Sequence, residues 1–156
     1  MEPKIIEKPE FKIVGLEITT TVQECMGDKQ RITQLWKNFM SRLGEIKNQV
    51  NGKVHYGYSI TISKKECSFR HIACVEVSEF EDVPEDMVKE TVPASKYAVW
   101  THKGDIKRIG ETYGRLYEKD MPESGLMQKE FWFELYDDRF NENTEDSECD
   151  IYVAVE

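Results

Sequence analysis

Nowhere in this 156-residue chain is there an apolar run approaching the length that crosses a bilayer. The start, Met1-Glu2-Pro3-Lys4-Ile5-Ile6, also lacks the charged-then-apolar pattern of a signal peptide. The expectation is a cytoplasmic protein with no membrane partner. Basic clusters are missing too: 30 acidic residues against 21 basic ones leave a net charge of -9. Such a surface repels nucleic acid, and there is no helix-turn-helix or basic region, so no direct nucleic-acid contact is expected. A cationic ligand or a basic protein partner is favoured instead. The four cysteines, Cys25, Cys67, Cys74 and Cys149, contain no CxxC pair. The histidines His55, His71 and His102 have no metal-ligand spacing. Reduced, buried thiols and no metal or cofactor are therefore expected.

What is present suits one globular domain spanning 1–156, long enough to bury a core without disulfides. Phe11 to Ile18 is apolar and β-branched, which predicts a strand. Ile32, Leu35, Trp36, Phe39, Met40, Leu43 and Ile46 recur at steps of three and four, predicting a helix with one apolar stripe that stops at Asn51-Gly52. Strands are predicted over His55 to Ile62 and within Ser68 to Phe80. The second half repeats the order. Lys96 to His102 predicts a strand, and Asp105 a helix N-cap. Ile106, Ile109, Tyr113, Leu116 and Tyr117 predict a helix that breaks over Met121-Pro122-Glu123-Ser124-Gly125. Strands follow over Glu130 to Tyr136 and Asp150 to Val155, with an acidic loop, Asn141 to Asp146, between them. Each half, about 1–80 and 81–156, thus reads strand, helix, strand, strand. The expected fold class is α+β: two βαββ units related by a pseudo-two-fold, an antiparallel sheet with two helices on one side, and a ligand cleft between the halves.

The most unusual segment is Phe131-Trp132-Phe133-Glu134-Leu135-Tyr136. Alternation along a strand puts Trp132, Glu134 and Tyr136 on one face and Phe131, Phe133 and Leu135 on the other. The second set makes an ordinary core face. The first sets a carboxylate between two large aromatics, which either faces solvent with Glu134 as a surface acid or suits a cationic aromatic guest through charge and cation–π contacts of about 0.5–2 kcal/mol each. Trp36, Tyr56, Tyr58 and Tyr152 are candidates for further walls of the same pocket. Trp100 and Tyr113 read more simply as core.

The ordered set Leu35-Trp36-Lys37-Asn38-Phe39, Val92-Pro93-Ala94-Ser95-Lys96-Tyr97-Ala98-Val99, Met121-Pro122-Glu123-Ser124-Gly125, Phe133-Glu134-Leu135-Tyr136 and Cys149-Asp150-Ile151-Tyr152-Val153-Ala154-Val155 resembles the GyrI-like small-molecule-binding family. This is the effector-binding domain of bacterial AraC- and MerR-type multidrug regulators. The resemblance implies that Glu134 is the pocket acid meeting a ligand's positive charge, with Trp36 and Tyr152 in the pocket wall. The family's usual strand ending has Pro where this chain has Ala154.

Three functions follow from that resemblance. The leading one is a stand-alone module binding amphipathic, cationic or aromatic small molecules, for sequestration or sensing. The second is a hydrolase of cyclopropane-bearing DNA-alkylating agents, with Glu134 as general base and Tyr58, Tyr136 or Tyr152 stabilising charge. The third is an interaction protein acting on DNA gyrase or a regulatory partner.

Overall fold

The computed structural model describes residues 2–27, 30–141 and 144–156, without the side chains of 25–27. Its strands are β1 (Lys4–Lys8), β2 (Phe11–Thr21), β3 (His55–Ser63), β4 (Ser68–Val77), β5 (Val88–Val92), β6 (Ser95–Lys103), β7 (Gln128–Tyr136) and β8 (Glu148–Val155). Its α-helices are α1 (Val22–Gly27), α2 (Gln30–Arg42), α3 (Ile109–Arg115) and α4 (Met121–Ser124). All eight strands form one antiparallel sheet in the order β1-β6-β8-β7-β3-β4-β2-β5. The centre of that order is the β3–β7 pair, flanked by β4 then β2 on one side and β8 then β6 on the other. The units β2-α2-β3-β4 and β6-α3-β7-β8 are therefore related across that pair, the duplication expected from the sequence.

Two strands go beyond the expectation. β1 runs into β2 across Pro9, and β5 runs into β6 across Pro93. A proline has no N–H for the ladder, so it marks the place where the chain leaves one partner for another. β1 pairs with β6 and β5 pairs with β2, each arm reaching the outer strand of the opposite half. This exchange ties the two halves together at both sheet edges.

The helices differ from expectation in detail. α2 ends at Arg42, and a 3-10 turn over Leu43–Glu45 follows, well before Asn51-Gly52. Gly44, which costs a helix about 1 kcal/mol relative to alanine, interrupts the periodic run there. Leu35 and Phe39 are buried against Val14, Ala73 and Val75, whereas Met40 is exposed, so the apolar stripe is narrower than the spacing suggested. Asp105 does cap a helical start: its carboxylate accepts the Lys107 N–H at 2.9 Å. The path then runs through a 3-10 turn, α3, a π-helical turn over Leu116–Asp120, and α4. The expected break over Met121 to Gly125 falls at its last residue. Pro122 sits in the first turn of α4, where its missing N–H has no intrahelical partner to lose, and the chain leaves the helix at Gly125 with φ 72°.

The sheet has two different faces. On one, Phe11, Tyr56, Tyr58, Ile72, Tyr97 and Phe133 form a dense aromatic core with Tyr152 packed against it. On the other, α2 covers Val14, Ala73 and Val75, and the α3–α4 segment covers Trp100, Ile151 and Val153. Cys74 and Cys149 are buried free thiols as expected. Cys67 is free but exposed, because it belongs to the turn between β3 and β4 and not to a strand. The side chain of Cys25 lies outside the described residues.

Candidate functional site

Glu134 lies on the helix-bearing face. Its cross-strand neighbours are Gly57 of β3 and Ile151 of β8, and Ile151 packs under α3–α4. Trp132, two residues earlier, packs into that same helix-side cluster. The opposing Gly57 matters because it has no side chain. A Cβ placed there would lie 3.0 Å from His71 Cε1, 3.2 Å from Glu134 Oε1 and 3.4 Å from His71 Nε2. The imidazole and the carboxylate thus converge over a space that only glycine leaves open.

Aromatic hydroxyls close on the carboxylate from two elements. Tyr113 of α3 donates to Glu134 Oε2 at 2.5 Å, and Tyr136 of β7 donates to Oε1. Trp36 of α2 stands edge-on to Tyr136, ring centroids 5.3 Å apart. His71 Nδ1 and Ser59 Oγ are 2.8 Å apart beneath the site. His55, on the same face of β3, packs edge-on to Phe39 of α2. The cluster is therefore drawn from both βαββ units and straddles the β3–β7 axis.

Its electrostatics are unusual for an acid. Among the described residues no lysine or arginine pairs with Glu134. Its partners are neutral phenols. Burial, and then the Glu134 charge, push both the Tyr113 and Tyr136 hydroxyls well above their usual range, which keeps them protonated donors. Burial lowers the His71 pKa, with the Glu134 charge opposing that shift, so the imidazole is neutral near pH 7.

Of the residues expected around Glu134, Trp36, Trp132 and Tyr136 share its face. Tyr56, Tyr58 and Tyr152 do not. Tyr58 and Tyr152 are both in register with Phe133, and Tyr56 with Leu135, so alternation sends all three to the opposite face, against the aromatic core. Tyr113, read from the sequence as core, is instead a donor to the carboxylate, while Trp100 is core. His71, Ser59 and Gly57 are not among the residues that the sequence points to for this site. The signal that could have found them is the small and polar set His55, Gly57, Ser59 alternating with Tyr56 and Tyr58, which marks a polar face to the strand. A separate cavity of about 210 Å³ between β6 and the π-helical turn is lined by Trp100, Lys103, Thr112, Arg115 and Asp120 among others. It shares none of the Glu134 cluster, and its cations lie at the exposed surface.

A duplicated antiparallel sheet with a helix from each half on one side, and an acid between them, is the frame of a GyrI-like effector-binding domain. The chain belongs to the family described as integron-associated effector binding protein (Cass2), whose profile matches residues 4–155. The transcriptional regulator BrlR of Pseudomonas aeruginosa is 38% identical over 157 residues, covering 99% of this chain and 56% of the regulator. The chain thus spans about half the length of that relative. Among solved structures, SAV2435 bound to tetraphenylphosphonium superposes with a TM-score of 0.78 at 19% identity, covering 100% of this chain and 94% of that one. The integron cassette protein VCH_CASS2 from the mobile metagenome of Vibrio cholerae gives 0.73 at 19% identity, covering 99% and 96%. These two establish likeness of fold. Among the described residues no helix is long and apolar enough to cross a membrane.

Proposed function

We propose that this chain binds amphipathic aromatic cations at Glu134, between α2 and α3, as the effector- or drug-binding part of a sensing or sequestering system. The observation that carries the reading is a half-buried carboxylate with no cationic partner among the described residues, walled by Trp36, Tyr113, Trp132 and Tyr136. A structural relative that was solved with tetraphenylphosphonium, a bulky aromatic cation, supports it. So does a regulator among the relatives, in which such a domain would report to a DNA-binding part. Two neutral phenols satisfy the carboxylate. A cation exchanges those contacts for a charge–charge contact in a site already partly shielded from water.

Glu134→Gln keeps the shape and removes the charge. Affinity for a monocationic aromatic dye should fall about ten- to a hundredfold, the loss of roughly 1.5–3 kcal/mol from one charge-assisted contact. A neutral dye of similar shape should lose far less, since stacking is untouched. Titration of both dyes by tryptophan fluorescence checks this, and equal affinity of the two proteins for the cation would refute the reading. Turnover of a cyclopropane-bearing substrate that disappears in the same variant would reassign Glu134 as a general base.

A further inference from the structure

His71 is a buried imidazole that the cation-binding reading does not use. It reaches the site from β4, across β3, toward a carboxylate on β7. Glu134 Oε1 and His71 Nε2 lie 3.2 and 3.4 Å from one point above Gly57, so they face each other across a gap of at most two such contacts. Its other nitrogen is held by Ser59. Among the described residues, Glu134 is the one charge acting on it. Ile18 of β2 stands opposite it in register, Phe69 of its own strand packs edge-on, and Tyr113 and Tyr136 bring neutral phenols over Glu134. The cations of α2 are engaged elsewhere: Arg31 with Glu24, Arg42 with Glu45 and Asp86, and Lys37 is exposed. The charge that acts on His71 is that of Glu134.

We propose that His71 is a proton-linked specificity residue of this site: neutral, it leaves the Glu134 charge to an organic cation; protonated, it takes that charge itself and expels the cation. The proposal rests on the cation-binding reading above. The argument is reciprocity. An opposite charge within about 4–6 Å favours protonation of a group by 1–3 pKa units. An organic cation on Glu134 cancels that help, so ligand and proton antagonise each other by the same factor. Burial already disfavours the imidazolium, which places the exchange on the acid side of neutrality.

Tetraphenylphosphonium is the probe, because its charge is permanent and does not titrate. Its affinity, read by tryptophan fluorescence, should weaken as the pH falls from 7.5 to 5 in the wild-type protein. In His71→Gln that dependence should flatten, whatever the affinity at pH 7.5. A second readout needs no substitution in the strand: the His71 Cε1–H resonance, followed by NMR, should titrate at lower pH once the probe is saturating. A His71→Gln curve matching wild type, or a His71 titration that ignores the probe, overturns this proposal and leaves cation binding standing. Unchanged binding in Glu134→Gln at pH 7.5 overturns the cation-binding reading, and this proposal with it.

Discussion

Gly57→Ala puts one methyl group into the space shared by His71 and Glu134. Two opposing terms set its effect. Alanine in an extended strand loses less backbone freedom on folding than glycine, a gain of about 0.4–1 kcal/mol. Against this, the methyl would sit 3.0 Å from His71 Cε1 and 3.2 Å from Glu134 Oε1, so a neighbour must give way by a few tenths of an ångström. Overpacking of this kind costs about 1–3 kcal/mol. The methyl term wins, with a net loss of about 1–2 kcal/mol, or roughly 2–8 °C in Tm for a chain of this size. The two neighbours do not yield equally, and the tighter contact, with His71, carries most of the strain. His71 is 4% exposed and anchored to Ser59, whereas Glu134 is only half-buried. Glu134 moves, its bond from Tyr113 lengthens, and a cationic dye loses about 1 kcal/mol of contact, near fivefold in affinity. Thermal unfolding and a dye titration measure the two effects. A more stable protein with unchanged dye affinity would show that the space above Gly57 is not shared.

Gly15→Ala should be far worse, about 3 kcal/mol or more, because its Cβ would fall 1.9 Å from the Ala73 carbonyl oxygen of the paired strand, backbone that cannot rotate away; a Tm close to wild type would contradict this. Gly114→Ala meets nothing within 4 Å on α3 and should stabilise by up to about 1 kcal/mol, read from the urea midpoint. Burial lowers the pKa values of His55 and His71, so as pH falls below about 6.5 the unfolded chain takes up protons first. Their contribution is present above that pH and lost below it, and the urea midpoint should drop between pH 7.5 and 5.5. A flat profile there would refute it, since the depressed carboxylates Asp82, Asp86 and Asp137 act only at lower pH.

Duplication was readable in the sequence because it lives in local periodicity. The steps of three and four from Ile32 to Phe39 and the alternation in His55 to Ile62 each need only one segment to be seen. β1 and β5 were not readable for the same reason. Lys4-Ile5-Ile6-Glu7-Lys8 and Val88-Lys89-Glu90-Thr91-Val92 are five-residue, half-polar segments closed by prolines, and their pairing lies with the opposite half of the chain. Nothing within such a segment says which strand, some eighty residues away, will complete it. The helix ends failed differently. Gly44 and Pro122 were both visible, but only the surrounding backbone decides that the first ends a helix and the second begins a turn of one.

For the candidate site, period-2 alternation puts Trp132, Glu134 and Tyr136 on one strand face, a relation internal to one strand. It could not say which aromatics of β3 and β8 join them. That depends on register, and a slip of one residue exchanges the two faces of a strand. With Glu134 opposite Gly57, the tyrosines on either side of that glycine must face away and the polar residues of β3 must face the acid. The reverse register would have set Tyr56 or Tyr58 opposite the carboxylate and pushed Gly57 and Ser59 into the aromatic core, burying a hydroxyl among Phe11, Phe133 and Tyr97 without a partner. Such a group costs about 1–3 kcal/mol unpaired, and the packed rings of the core would be lost as well. The register with glycine under the acid therefore wins on both faces at once. It leaves His71, rather than a tyrosine, as the nearest polar neighbour of Glu134 across β3.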